Sequence, residues 1–151
     1  EKTGQNTTKS AAEAATALLP AAALGMKAEK VGTTYNVKVK AEWYTAGTGD
    51  YYLSVFLLES GIDGSATSGA YKQSGTSDPN YEHYFVLRAS ATAGVYGDVI
   101  ASVPAAGFTV EKDFSINILP DWQKNVYPVA ILWKYDPSGA KPHYKFINAI
   151  K

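Results

Sequence analysis

The stretch YNVKVKAEWY, residues 35–44, decides the fold because its polar and apolar side chains alternate. Lys38, Lys40 and Glu42 occupy the polar positions between apolar or aromatic neighbours. Successive side chains of a β-strand point to opposite faces, so this pattern predicts a strand with one buried face and one solvated face. The side chains that we expect in the core are Tyr35, Val37, Val39, Ala41 and Trp43.

Segments with the same two-residue period, or with continuous apolar runs, follow along the chain. Turn residues at 47–50 separate 35–44 from the next apolar run, so we expect these two segments to pair as an antiparallel hairpin. Together the segments predict a mostly β protein, an antiparallel β-sandwich of about seven strands that is immunoglobulin-like or jelly-roll-like. The expected strands are 35–44, 51–59, 81–91, a region at 108–118 interrupted near Lys112 and Asp113, 126–135 and 144–150.

The first 20 residues have a different pattern. Ser10 and Glu13 form a capping box, and the alanine-rich and leucine-rich residues 11–19 predict one short N-terminal helix that ends at Pro20. We therefore expect a polar leader and a short capping helix over 1–20, and a single β-sandwich domain over 21–151. A helix of about nine residues is too short to be stable alone, so it should dock on the sandwich or on a neighbouring chain.

Composition excludes several functional classes. The chain has 151 residues, with 14 lysines and arginines against 14 aspartates and glutamates. A net charge of zero argues against nucleic acid and against a polybasic membrane-binding surface. There is no cysteine and there are only two histidines, so we expect no metal site and no cofactor. Since no nucleophile and base form a recognisable pair, we expect no catalytic residues and no enzymatic activity.

Residues 60–80 form a long stretch rich in glycine and small hydroxyl residues, without any period. Loops longer than about 12–15 residues in compact domains are usually functional or disordered. A structural alternative is an extra edge strand around residues 70–73. If this loop binds a partner, Tyr71 is the expected anchor, because tyrosine offers a large contact area with few rotatable bonds.

Tyrosines supply the other candidate binding residues. The chain has 11 of them, and several lie at predicted strand ends or in the long loop. Their rings could contact a protein or stack on a sugar, although tyrosines in strands also pack against one another for structural reasons. The candidates are Tyr51, Tyr52, Tyr71 and Tyr81.

Arg88 is the only arginine in the chain. Its planar guanidinium could bind an anionic ligand or fix a carboxylate inside the fold, as lysine cannot. We predict a structural ion pair, for which the candidate partners are Glu59, Asp98 and Asp121, and we assign it to Glu59.

Five segments follow one another in a characteristic order over residues 51–151. They are YLSVFLLE at 52–59, Tyr81 and His83 with VLR at 86–88, GVYG at 94–97, Trp122 and Asn125 with Val129-Ala130, and Asn148-Ala149. In order and spacing they resemble the C-terminal region of the Bacteroidetes outer-membrane lipoprotein family named after a twenty-eight-kilodalton outer membrane protein. This chain departs from the family pattern at Tyr84 and Phe85, where the family has polar residues.

The resemblance implies an envelope protein, outer-membrane-anchored or periplasmic, without an established reaction. We therefore expect a non-enzymatic binding, adhesion or assembly module whose partner is a protein or glycan of the cell envelope. It would meet the membrane only through a lipid anchor outside this chain. The alternative is a carbohydrate-binding accessory domain that uses surface tyrosines. A groove lined by parallel aromatic faces would favour a sugar, and a flat apolar patch would favour a protein.

Overall fold

The computed structural model describes residues 20–65, 71–75, 78–122, 125–138 and 143–151. The helix predicted at 11–19 lies outside these residues. The described part contains strands and turns and no helix, so the protein is mostly β as the sequence predicts. Its strands are β1 Ala22–Val31, β2 Thr34–Trp43, β3 Asp50–Ser60, β4 Ile62–Asp63, β5 Glu82–His83, β6 Val86–Ser90, β7 Asp98–Ser102, β8 Thr109–Asn117, β9 Asn125–Asp136 and β10 His143–Ile150.

These strands form antiparallel sheets. The first sheet has the order β1-β2-β8, and the second has the order β10-β9-β3-β6. Strand β7 also pairs with β3, at residues 50–53, whereas β6 pairs with β3 at 56–59. One edge of β3 is thus shared by β6 and β7, and its other edge pairs with β9 over residues 51–60. The short strands β4 and β5 pair with each other.

Side chains from the two sheets meet in a common core, which is the arrangement of a β-sandwich. Val37 and Val39 of β2 lie in one cluster with Leu53, Val55 and Leu57 of β3. Beside this cluster, the rings of Trp43 and Tyr51 pack edge to face with their centroids 5.2 Å apart. The core is therefore built from the alternate positions of the longest strands.

The predicted orientation of residues 35–44 is confirmed. The side chains of Val37, Val39, Ala41 and Trp43 are buried, and Tyr35 is half-buried. Lys38 and Lys40 are exposed, while Glu42 is half-buried. The period of two thus set the register, because a slip by one residue would bring the lysines into the core.

The predicted hairpin between 35–44 and 51–59 is wrong, because β2 and β3 belong to different sheets. Residues 44–49 carry the chain across the edge of the sandwich, where Gly47 N donates to Pro104 O at 2.7 Å. Strand β3 has apolar residues on both faces and is paired on both edges, by β9 and by β6 and β7.

Strand β1 was missed because its sequence AALGMKAEKV consists largely of residues that favour helices. It pairs with β2 along its whole length through a two-residue turn, Gly32-Thr33. Gly32 has a φ of 59°, the left-handed conformation that tight hairpin turns require. The long partner strand therefore overrides the local helix propensity.

Three further differences concern strand boundaries. The predicted strand 81–91 divides into β5 and β6 at Phe85, whose φ of 58° breaks the extended backbone. Strand β7 was not predicted. Strand β8 runs without the expected interruption, because Lys112 and Asp113 lie on a strand that is exposed along most of its length, and Asp113 pairs with Lys38 at 3.2 Å.

Candidate functional site

The solvent side of the second sheet carries a row of apolar side chains across four strands. Tyr52 of β3 lies opposite Val99 of β7 on one edge and opposite Trp133 of β9 on the other. Trp133 in turn lies opposite Phe146 of β10. Directly opposed residues of an antiparallel pair share one face of the sheet, so these four side chains form a continuous apolar row.

Most other side chains on this side of the sheet are also apolar, with Ser54 and Ser90 as exceptions, and we call the apolar ones the outer face. An antiparallel sheet with one solvated side normally alternates apolar residues inside with polar residues outside, and this sheet does not. Leu87, Val99 and Phe146 are 58%, 50% and 61% exposed, and the others are half-buried. The outer face consists of Tyr52, Phe56, Leu58, Leu87, Val99, Tyr127, Val129, Ile131, Trp133, Tyr135, Tyr144 and Phe146.

One end of the outer face is an aromatic cluster of Tyr52, Tyr96, Trp133, Tyr135, Tyr144 and Phe146. Tyr96 and Tyr144 stack in parallel with centroids 3.7 Å apart and planes 9° apart. Trp133 meets Tyr96 and Phe146 edge to face, at 5.4 and 6.1 Å. These geometries are the ones that aromatic quadrupoles favour, so the rings support one another.

Trp133 lies across the neighbouring strand. Its Nε1 donates to Ser54 Oγ at 2.8 Å, and Ser54 is fully buried although it sits on the solvent side of β3. The indole therefore satisfies its own polar atom and covers a small polar residue. This contact fixes the ring against the sheet and leaves its remaining edges to neighbouring aromatic rings.

Tyr96 reaches the cluster from the turn between β6 and β7. The next residue, Gly97, has a φ of 78°, and a Cβ there would overlap the carbonyl of Leu53. Only glycine allows the backbone to approach β3 this closely, so Gly97 determines where Tyr96 lies. The cluster thus depends on a residue without a side chain.

The surroundings of Tyr144 favour the neutral form of its hydroxyl. Burial by the surrounding rings raises the pKa of Tyr144, and the neighbouring hydroxyls of Tyr52 and Tyr96 raise it further. The hydroxyl therefore remains protonated where an ordinary tyrosine would begin to ionise. Tyr144 consequently contributes a neutral hydroxyl to the ring edges that the cluster presents.

A second group of side chains lies at the other end of β3. Arg88 Nε donates to Glu59 Oε2 at 2.6 Å, and Arg88 Nη1 donates to the Tyr71 hydroxyl at 3.2 Å. The Tyr71 carbonyl oxygen lies 2.6 Å from His83 Nε2, which must donate because the carbonyl can only accept. These contacts attach the segment at Tyr71 to the strands β5 and β6.

The Arg88–Glu59 pair is buried: the side chains are 10% and 0% exposed. Of the three carboxylates considered from sequence, Glu59 is the one that Arg88 contacts. Arg88 is the extra residue of a β-bulge, since Leu57 pairs with Ala89 and Leu58 with Leu87. Such bulges redirect a side chain, here toward the inward-pointing Glu59. Burial disfavours the charged guanidinium, but the bonds to Tyr71 and Glu59 outweigh it and raise the pKa of Arg88.

The four tyrosines named from sequence do not form one site. Tyr51 is 2% exposed and lies in the core beside Trp43, so the surface role expected of it is corrected by its burial. Tyr52 belongs to the aromatic cluster. Tyr71 contacts Arg88, whose partner Glu59 lies seven residues from Tyr52 along β3, about 23 Å at roughly 3.3 Å per residue. The ring of Tyr81 contacts His83.

Sequence reasoning missed most of the aromatic cluster. Trp133 and Tyr135 alternate on one predicted strand, and Tyr144 and Phe146 alternate on the next. That spacing places each pair on one face, so it was a usable signal. Tyr96 carried no such signal, because a turn brings it to the sheet.

The described residues offer no alternative site with evident chemistry. They contain no group of histidine, cysteine and carboxylate side chains that could hold a metal ion. A shallow cleft lined by Asp63, Asn80, Tyr81 and Glu82 is open to solvent. No helix long and apolar enough to cross a membrane occurs in the part of the chain that the structure describes.

Fold and surface together define a mostly β domain with an apolar outer face. No family model matches the chain, and no curated protein matches it. Its fold is similar to that of HBP35 of Porphyromonas gingivalis, a Bacteroidetes protein, with a TM-score of 0.59 and 18% sequence identity. The similarity covers 86% of this chain and 40% of that protein, so the chain spans less than half of its length. At this identity the comparison shows a shared fold.

Proposed function

We propose that this domain is a non-enzymatic binding module of the bacterial cell envelope, and that its outer face contacts a protein partner. The observation that carries the proposal is the apolar row Val99, Tyr52, Trp133 and Phe146, which Phe56 and Leu58 connect along β3 to exposed Leu87. Exposed apolar surface of this extent usually marks an interaction site. The proposed location in the cell envelope is supported by the sequence resemblance described above and by a fold shared with a Bacteroidetes protein.

Ring geometry favours a protein over a glycan as the partner. A sugar-binding groove would be lined by aromatic rings whose faces are open to solvent and run parallel to one another. Tyr96 and Tyr144 are parallel but stack directly on each other at 3.7 Å, and Trp133 meets its aromatic neighbours edge to face. The outer face is a nearly continuous apolar surface rather than a groove.

Binding to isolated outer-membrane vesicles of a Bacteroidetes species tests this function. Labelled domain is titrated with vesicles, and the variant Phe146→Ser should bind about tenfold more weakly or worse, since aromatic residues dominate binding energy at interfaces. The control variant Leu119→Ser changes a residue of similar exposure, 52%, after β8 of the other sheet, and should bind like the wild type. Equal binding by Phe146→Ser and wild type would contradict the proposal.

The same assay separates the two classes of partner. Protease treatment of the vesicles should abolish binding to a protein partner. Periodate treatment, which destroys vicinal diols of sugars, should leave it intact. The opposite pattern would assign the outer face to a glycan and replace the proposed partner with the carbohydrate alternative.

A further inference from the structure

Phe85 combines two unfavourable features that the fold does not require of this residue type. Its φ of 58° lies in the left-handed region, which is strained for a bulky side chain, and its side chain is 65% exposed. The turn at this position has a structural purpose, because it carries the chain from β5, which pairs with β4, to β6, which pairs with β3. Glycine or asparagine would make the same turn with less strain. Folding therefore explains the turn but not the phenylalanine ring.

The Phe85 ring adjoins the end of the outer face that lies away from the aromatic cluster. The Phe85 amide donates to Ser60 Oγ at 3.0 Å, and Ser60 Oγ lies 2.9 Å from the hydroxyl of Tyr127, a member of the outer face. Lys151 Nζ lies 3.9 Å from the ring centre of Tyr127 and 5.8 Å from that of Phe85. One ammonium group thus lies beside both rings, within the range of a cation–π contact.

Lys151 carries a charge that no carboxylate among the described residues neutralises. The ion pairs of the described part of the chain do not include it. Its contacts with the two rings leave ammonium hydrogens free to donate to a carboxylate of another molecule. Phe85 and Lys151 together therefore present an exposed ring beside an unneutralised cation. The complementary surface is an apolar pocket with a carboxylate at its rim.

We propose that Phe85 is the specificity-determining contact of this domain: its ring enters an apolar pocket of the protein partner, and a carboxylate at the rim of that pocket pairs with Lys151. This inference rests on the proposed function, because it takes the partner of the outer face to be a protein. Aromatic anchors that fill a partner's pocket, surrounded by contacts of lower energy, carry much of the affinity of protein interfaces. Strain that folding does not require is typical of residues held for binding.

Phe85→Asn tests this inference, because asparagine tolerates the left-handed conformation. The variant should keep or raise the urea unfolding midpoint of the wild type, and it should bind the outer-membrane vesicles at least about tenfold more weakly. Phe85→Tyr keeps an aromatic ring at this position and should bind like the wild type. Wild-type affinity in Phe85→Asn would overturn the inference.

Val103 provides the matched control. It is the other non-glycine residue with a positive φ in the described part of the chain, at 46°, and its side chain is 67% exposed. It lies at the opposite end of β3, where its amide donates to Gly49 O at 2.9 Å. Val103→Asn should also keep or raise the unfolding midpoint, but it should bind like the wild type. Equal weakening by Phe85→Asn and Val103→Asn would overturn the assignment of specificity to Phe85.

The carboxylate of the partner is tested by reversing the charge of Lys151. Lys151→Glu should weaken vesicle binding at least about tenfold, because opposed like charges in an interface repel each other. Lys27→Glu makes the same change at an exposed position of β1 in the first sheet and should bind like the wild type. Equal binding by Lys151→Glu and the wild type would overturn the proposed pairing with a carboxylate.

The remaining outcomes separate this inference from the proposed function. Protein-free liposomes made from the lipids of the same vesicles should not bind the domain, and binding to them that depends on Phe85 would assign the ring to the membrane and overturn the inference. Vesicle binding that is lost in Phe146→Ser and kept in Phe85→Asn would refute the inference and keep the proposed function. A wild type that binds no vesicles would refute the proposed function, and the inference with it.

Discussion

The buried ion pair between Arg88 and Glu59 joins the edge strand β6 to the central strand β3. Removing the guanidinium breaks the ion pair of a carboxylate that is fully buried. Breaking such a pair typically costs 3–5 kcal/mol, so Arg88→Ala should lower the free energy of unfolding by about 3 kcal/mol. We choose the lower end because Arg88 Nη2 is buried without a hydrogen-bond partner in the described part of the chain, so the wild-type pair is incompletely satisfied.

Urea denaturation measures this loss. Lys38→Ala is the matched control, since it breaks an exposed pair with Asp113 and should cost about 1 kcal/mol or less. An unchanged midpoint for Arg88→Ala would contradict a structural role and would favour the anionic-ligand alternative.

Alanine variants of Gly97 and Gly94 distinguish the effect of steric overlap from the effect of backbone strain on stability. Both have positive φ, 78° and 63°, but a Cβ at Gly94 meets nothing within 4 Å, whereas one at Gly97 overlaps Leu53. Gly94→Ala should therefore lower the free energy of unfolding by about 1 kcal/mol, and Gly97→Ala should lower it clearly more. Because Gly97→Ala must also move Tyr96 away from Trp133, we expect an altered tryptophan emission spectrum only for that variant. Equal losses of unfolding free energy in the two variants would show that the turn at Gly97 shifts enough to remove the overlap with Leu53.

Tyr144 makes stability depend on alkaline pH. Its folded pKa is raised above the unfolded value, so its contribution is complete below the ordinary tyrosine pKa of about 10 and is lost as pH rises through the folded pKa. The thermal unfolding midpoint of the wild type should fall as the pH rises above about 10, and that of Tyr144→Phe should fall less. Tyr44→Phe, at an exposed position, serves as the control and should keep the wild-type dependence.

At the scale of elements, β3 is the central strand of the second sheet. It pairs with β9 on one edge and with β6 and β7 on the other, and its alternate residues lie in the core. Leu57→Ala, at a fully buried position, should cost about 2–5 kcal/mol. Leu87→Ala, on the neighbouring β6 but exposed, should cost about 0.5 kcal/mol or less. Thermal unfolding compares the two, and similar losses would show that the outer face already acts as a core in the isolated chain.

At the scale of the whole molecule, the sandwich has one polar exterior and one apolar exterior. The polar side pairs lysines with carboxylates in water, and the apolar side is stabilised by its own aromatic contacts while still exposing Phe146, Leu87 and Val99. Such a molecule can fold by itself and still gain from covering one face, because the apolar area removed from water adds free energy on association. In the proposed function, binding and folding therefore use different sides of the same strands.

Local pattern determined which residues face inward. The alternation at 35–44 set the orientation of β2, and the single arginine pointed to a buried carboxylate, because side-chain period and residue chemistry are local properties. The mostly β class followed from the same pattern.

Tertiary structure decided which strands are neighbours. It placed β2 and β3 in different sheets, drew the helix-favouring β1 into a strand, and brought Tyr96 onto Trp133 from 37 residues away. Each of these depends on pairing between distant segments, whose free energy comes from a core and a sheet that exist only in the folded chain. The sequence could name the aromatic residues, but only the long-range pairing of β3, β9 and β10 gathered them into one face.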